Sequence, residues 1–322
     1  MPDWLVERGI GETRAVLAAH GEIIEARVEL DGATPAGTVV RARLANVGHN
    51  GRNAIAIAEG GTEYLLPHSS PRISQGATLS IEVTRERIPG AEPWKHPLAR
   101  ITDKAPIALG SLAGRLSARE IPFPAPKDEL ERLGWNDLVD QARTGLVPFA
   151  GGELRISATP AMTLIDVDGY LAPEELTVLG ASEAAAAIRR LDIGGSIGID
   201  LPTAGSKGVR HAAAAAIDRE LPQPFERTAV NGFGFVQIVR PRTRPSLLEL
   251  AQDRPSFEAR ALLRLAAMES AGAKRVVAHP TVTGVLERHR GWLDTLARQV
   301  GGRIELRADP ALPMSGGYAT SL

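Results

Sequence analysis

The chain has 322 residues, is 43% hydrophobic and 23% charged, and carries a net charge of -1. These are ordinary globular values, and the length suits two or three units with real cores. The near-neutral balance excludes a globally basic field for nucleic acid, so any such surface is local. Cysteine is absent, which excludes disulfides, thiolate zinc sites and cysteine nucleophiles.

The first residues, Met1-Pro2-Asp3-Trp4-Leu5-Val6-Glu7-Arg8, lack the basic start and apolar core of a signal peptide. No window approaches the ~18 uninterrupted apolar residues of a membrane span. A soluble, cytoplasmic protein with no membrane partner is the expectation. Residues 12–18 and 23–30 flank Ala19-His20-Gly21-Glu22 and predict a hairpin that turns at His20-Gly21. Residues 31–37, Asp-Gly-Ala-Thr-Pro-Ala-Gly, read as a linker.

Residues 38–44, 53–58 and 78–85 alternate between apolar and polar and are separated by glycine-rich turns, which predicts a small barrel over 37–101. Arg41 and Arg43 share one strand face, and Arg85 and Arg87 share another. Such pairs suit either a nucleic-acid face or plain solvated charge. Tyr64 and Trp94 are the main aromatics on which bases would stack there. Residues 102–127 are rich in proline and small side chains, and read as an extended linker or a wrapped strand. Residues 128–144 form a helical pattern interrupted at Gly134, with Leu130, Leu133, Leu138 and Val139 on its apolar face.

Residues 161–202 read as strand, helix and strand. The first run is Ala161-Met162-Thr163-Leu164-Ile165-Asp166-Val167-Asp168-Gly169, and the last ends Ile197-Gly198-Ile199-Asp200. An alanine-rich helix from Ser182 to about Leu191 connects them, so the two strands should be parallel with a right-handed crossover. Asp166, Asp168 and Asp200 then fall at carboxyl ends of strands, where open parallel sheets bind ligands. Alternation puts Met162, Leu164, Asp166 and Asp168 on one face, the two aspartates about 7 Å apart. Three converging carboxylates repel unless a cation sits between them, and oxygen ligands suit a hard ion such as magnesium. The plainer reading makes them loop acids just past buried strands.

Residues 207–221 are helical, and a strand over 228–239 runs into Arg240-Pro241-Arg242-Thr243-Arg244-Pro245. If the extended conformation continues, Arg240, Arg242 and Arg244 point one way and make a phosphate clamp. The alternative is a solvated charged loop, since the prolines argue that the ladder has ended. The final unit alternates: helix 257–271, strand 275–278, helix 281–300, strand 303–307. His279 and His289 have no partner spacing for metal. Gly205-Ser206-Lys207-Gly208 is not a P-loop, and Gly194-Gly195-Ser196 precedes its strand rather than following it as a dinucleotide fingerprint does.

Taken together, these segments resemble the ribonuclease E/G family, most strongly over residues 146–249. Residues 161–168 look like the family's first metal-aspartate strand and residues 191–200 like its second. The run from Asn231-Gly232-Phe233-Gly234-Phe235 through Arg240-Pro241-Arg242 to Arg244-Pro245-Ser246-Leu247 looks like its arginine-bearing strand and exit loop. Tyr64-Leu65-Leu66-Pro67 echoes a barrel signature. The resemblance implies an α/β protein of several subdomains. Residues 1–36 would be an N-terminal hairpin of the nuclease core, 37–101 an inserted OB-type RNA-binding barrel, and 102–150 a linker and helix. Residues 151–250 would be the DNase I-like (RNase H-like) catalytic subdomain, and 251–322 a small C-terminal α/β domain. It implies a magnesium-dependent endoribonuclease that cleaves single-stranded RNA by hydrolysis, leaving 5′-phosphate and 3′-hydroxyl ends. Asp166 and Asp200 would hold the metal, with Asp168 orienting a water or a neighbouring group. Arg240, Arg242 and Arg244, more weakly Lys207, and on the barrel Arg41, Arg43 and Arg85 would contact RNA.

Departures from the family are equally legible. Asp168 stands where the family has asparagine, and Ile55 and Leu65 stand where its barrel offers aromatics. The zinc-link cysteine pair is missing, and residues 102–150 leave no room for the insert that senses an RNA 5′ end. The alternatives are a non-catalytic RNA-binding or scaffold protein of the same fold, and a metal-dependent phosphodiesterase for a smaller substrate. A homo-oligomer, where one forms, must assemble without a zinc link. Its mass by light scattering should be the same with and without a zinc chelator; a chelator-induced change that magnesium does not reverse would overturn this.

Overall fold

The computed structural model describes residues 3–50, 52–68, 73–90, 94–203 and 206–322. Met1 and Pro2 of the opening stretch, and Gly205 of the lysine-bearing tetrapeptide, lie outside the described residues. Strands β1 (Asp3–Arg8), β2 (Glu12–Ala19) and β3 (Glu22–Leu30) form a meander. The β2–β3 turn is the expected His20-Gly21 pair, both at positive φ (54° and 85°), the left-handed geometry that two-residue hairpin loops require. Strand β1 was not foreseen, because Trp4-Leu5-Val6 is too short to show a period.

The barrel comprises β4 (Val39–Asn46), β5 (Arg52–Ala58), β6 (Glu63–His68), β7 (Thr78–Arg85) and β8 (Leu98–Thr102), closed in the order β4-β5-β6-β8-β7. Its narrow interior is filled by Ala42, Leu44, Ala54, Ala56, Tyr64, Leu66, Ile81, Val83 and Ala99. Tyr64 is therefore a core residue, 1% exposed, and not a stacking platform. Val39 and Ile107 exchange backbone hydrogen bonds of 3.0 and 2.9 Å, so the barrel's two connections to the rest of the chain leave side by side.

Helix α1 (Leu112–Leu116) leads to β9 (Arg119–Ile121), which pairs in parallel with β1. The proline-rich segment is thus in part a wrapped strand, and the first sheet has the order β3-β2-β1-β9. Gly134, at φ 94°, divides a short 3-10 turn from α2 (Trp135–Thr144), where the sequence pattern is interrupted.

The central sheet contains β10 (Leu146–Phe149), β11 (Gly152–Ala158), β12 (Thr163–Gly169), β13 (Gly195–Asp200), β14 (Glu226–Arg227) and β15 (Phe235–Arg240) in the order β10-β11-β12-β13-β15-β14. Helix α3 (Pro173–Arg190) joins β12 to its parallel neighbour β13, and α4 (Lys207–Glu220) follows. The crossover helix starts earlier than its alanine run suggests, because Pro173 suits the first helical turn. Ile165, Val167, Ile197, Ile199, Val236 and Ile238 bury one sheet face with the small side chains of α3 and α4. Gly180 lets α3 lie against Val167, where a Cβ would strike that side chain.

The last segment holds α5 (Leu247–Gln252), α6 (Arg254–Met268), β16 (Lys274–Ala278), α7 (Pro280–Arg288), α8 (Arg290–Val300), β17 (Ile304–Ala308) and β18 (Tyr318–Ser321), with sheet order β17-β16-β18. The single helix expected over 281–300 breaks at His289, whose ring stacks on Trp292. The protein is mixed α/β, with several sheets and eight helices among the described residues. None of these helices is long and apolar enough to cross a membrane.

A buried ionic cluster ties the ends of the chain together. The Arg14 guanidinium donates to Glu12 and Glu7 (2.7 Å each), Arg260 to Glu12 (2.8 Å), and Arg264 to Glu7 (3.0 Å) and Asp128 (2.7 Å). Burial pushes the Glu12 carboxyl up, but Arg14 and Arg260 together hold it below its ordinary value. Removing one member strands the others in a dry site. Arg264→Met should cost about 3–5 kcal/mol in urea unfolding, whereas Arg275→Met, which breaks an exposed pair with Glu305, should cost under about 1 kcal/mol. Equal losses would show that the cluster is not specially coupled.

Candidate functional site

The backs of β12 and β13 are apolar, so alternation turns their polar residues to the other face of the sheet, where Arg155, Leu164, Asp166 and Asp168 are exposed. In that face Asp166 pairs in register with Asp200 across the parallel strands. On the other side Arg155 of β11 pairs with Asp166, and Glu153 pairs with Asp168. One row therefore reads Arg155, Asp166, Asp200, Phe235, and the next reads Glu153, Asp168. Neighbouring strands lie about 4.8 Å apart, and Asp168 is about 7 Å along the strand from Asp166. A one-residue slip of β12 would bury both aspartates, so the apolar Ile165 and Val167 fix their orientation.

The electrostatics match this crowding. Asp166 titrates above its ordinary value, first because of partial burial and then because of Asp168 and Asp200; Arg155 opposes the rise. The Arg155 Nε lies 3.3 Å from Glu153 and 3.7 Å from Asp168. Among the described residues no three acidic or histidine side chains are drawn into a ready metal cage. Two in-register carboxylates beside a third nonetheless fit magnesium, which commonly takes one or two carboxylates and keeps several waters. A divalent cation would also relieve the repulsion felt by Asp166.

Glu153 and Arg155 were not among the sequence candidates. Their signal was the alternation of Leu154 and Ile156 with Glu153, Arg155 and Ser157, one short turn before the aspartate strand.

The three arginines of the exit segment sit elsewhere. Arg240 pairs with Gly195 at the opposite end of β13 from Asp200, about 17 Å away along the strand. Each is engaged by the protein. Arg240 donates to the Ile193 carbonyl (2.9 Å), Arg242 pairs with Glu249, and Arg244 pairs with Asp192 (3.1 Å). They pin the exit loop to the β13 entry and to α5, so a clamp converging on the aspartates does not form. Arg85 donates to the His96 carbonyl (3.2 Å) and lines a crevice with Lys95 and Arg242 where the barrel meets the sheet. Arg41 and Arg43 are exposed on β4 and line a separate groove with Ile57 and Thr78. Ile55 and Leu65 pair across β5 and β6 as half-buried apolar neighbours. Lys207 opens α4, with Ser206 capping the Val209 amide, on the connection that leaves β13 at Asp200.

No protein-family model matches the chain, and no curated protein matches its sequence.

The raised Asp166 value has a testable sign. The folded chain holds the Asp166 proton more readily than the unfolded chain. The group's contribution to stability is therefore greatest below the ordinary value of 3.8 and declines as pH rises through the higher folded value. Asp166→Asn should raise the melting temperature at pH 7, and the gain should shrink as pH falls toward 3.8. Magnesium should narrow the gap at pH 7 by stabilising only the wild type. A variant less stable than wild type at neutral pH would refute the repulsion.

Proposed function

We propose that this protein is a magnesium-dependent endoribonuclease that cleaves single-stranded RNA by phosphodiester hydrolysis. The observation that carries the reading is the in-register pair Asp166 and Asp200, both exposed beside the exposed Asp168. A scaffold protein has no use for mutually repelling carboxylates at strand ends, whereas a hard cation there has a use for them. Asp166 and Asp200 would hold the ion, which when bound polarises a phosphate and lowers the pKa of a coordinated water. Asp168, exposed and 3.7 Å from the Arg155 Nε, would orient a water. Arg155 is the guanidinium in the aspartate row, and replaces the exit-segment arginines as the group facing a non-bridging phosphate oxygen. We read the closed barrel as OB-type, with Arg41 and Arg43 tracking the RNA backbone.

One observation favours the rival reading, an RNA-binding protein without turnover: the expected arginine clamp is spent on internal contacts. End-labelled single-stranded RNA, incubated with magnesium or with chelator, separates the two. We expect magnesium-dependent cuts, abolished by Asp166→Asn and Asp200→Asn with both variants still folded. Arg155→Ala should lower turnover on the order of 100- to 1000-fold, the loss typical of removing one preorganised donor to a developing charge. Asp168→Asn should be tolerated. Full activity in either metal-ligand variant would remove the assignment, and RNA bound but never cut would favour the rival.

A further inference from the structure

Two aromatic side chains stand almost wholly in solvent at the aspartate edge of the central sheet. Tyr170 is 84% exposed and Phe233 is 80% exposed, more than any other large apolar side chain among the described residues. Neither is on a loose tip. Tyr170 follows β12 directly, and its amide donates to the Gly151 carbonyl (3.1 Å). Phe233 sits on the turn into β15. There the Asn231 side chain accepts from the Phe233 and Phe235 amides (2.9 and 3.0 Å), and the Thr203 hydroxyl donates to the Phe233 carbonyl (3.3 Å). Gly234, at φ 91°, closes that turn against the Leu201 carbonyl, where a Cβ would clash.

The two flank the acids. Tyr170 ends β12 two residues beyond Asp168, and Phe233 lies two residues before Phe235, the partner of Asp200. With β13 between them, β12 and β15 are about 10 Å apart, two strand spacings. The charge of this edge explains why neutral groups are needed. Clustered carboxylates repel a polyanion, so charge alone does not seat RNA here. The face of a base is uncharged and stacks on an aromatic ring whatever its sequence.

We propose that Tyr170 and Phe233 are stacking platforms for unpaired bases on either side of the phosphate presented to Asp166 and Asp200. This rests on the endoribonuclease reading and adds to it how the substrate is held: by base stacking at the acidic edge, with little dependence on sequence. Duplex RNA, whose bases are stacked on one another, is excluded by the same contact.

The test uses the full chain and a short single-stranded RNA carrying 2-aminopurine, with calcium in place of magnesium and the probe checked for integrity. Binding should quench the probe. Tyr170→Ala and Phe233→Ala should each weaken binding roughly 5- to 100-fold and reduce quenching, while Tyr170→Phe and Phe233→Tyr retain both. An oligonucleotide with abasic positions should bind wild type and alanine variants alike. In magnesium the alanine variants should show a raised KM with kcat little changed. Unchanged binding and quenching in both alanine variants would overturn the proposal, as would failure of the wild type to bind the probe. If the double alanine variant cuts RNA as wild type does, stacking falls and the hydrolase reading stands. If wild type never cuts but the alanine variants lose quenching, the hydrolase reading falls and stacking stands.

Discussion

Three arginines and two carboxylates are buried where the first two strands meet α6, with the half-buried Asp128 beside them, and the architecture is hung on that contact. Arg14 is enclosed between Glu7 and Glu12, while Arg260 and Arg264 reach back from α6 to the same two acids. Each charged group is hydrogen-bonded to one of opposite sign, while the Arg14 Nη2 is buried without a partner, so a missing member would leave the rest uncompensated. It sets the first sheet against α6, while α2 joins the same junction through Arg143 and Glu258. Leu5, Val16, Trp135, Leu154, Leu247 and Phe257 then share one apolar core with the central sheet. The apolar backs of the aspartate strands are packed into that core.

Legibility in the sequence followed the range of the physics involved. The parallel pair β12 and β13, the shared face of Asp166 and Asp168, the His20-Gly21 turn and the break at Gly134 are local effects of period or backbone geometry, and each could be read from a few residues. The buried cluster could not. Glu7, Arg14 and Arg264 look like any surface charges until the fold brings them together. The same limit hid Glu153 and Arg155, whose importance comes from the strand beside them. The exit-segment arginines failed for a different reason. Their extended spacing was readable, but the antiparallel direction of β15 carries Arg240 away from Asp200. Asp192 and Glu249 then claim Arg244 and Arg242. Tyr64 was misplaced because so short a strand does not reveal which face points inward; it packs inside the barrel with Leu44, Leu66 and Ile81.

The sheet face that carries the aspartates is graded along its length. Acids and exposed aromatics occupy the end where β12 and β13 finish. Leu164, Gly198, Gln237 and Ser157 make a nearly uncharged middle, with Phe235 and Leu164 closing over Gly198. The barrel junction with Arg85, Lys95 and Arg242 stands at the other end. The cations of that junction are thus kept away from the aspartate row, where Arg155 sits beside Asp166 and Asp168.

The ionic cluster also gives the chain a schedule. Arg260 and Arg264 come 248 and 257 residues after Glu12 and Glu7. At ribosomal speeds of 5–20 residues per second, the partners emerge roughly 10 to 50 seconds apart. The barrel, with a core of its own, has its whole sequence in hand long before then. The first strands do not, and during that interval Glu7, Glu12 and Arg14 remain hydrated rather than buried. A nascent chain that stops before α6 therefore carries the whole barrel sequence beside an unlocked hairpin.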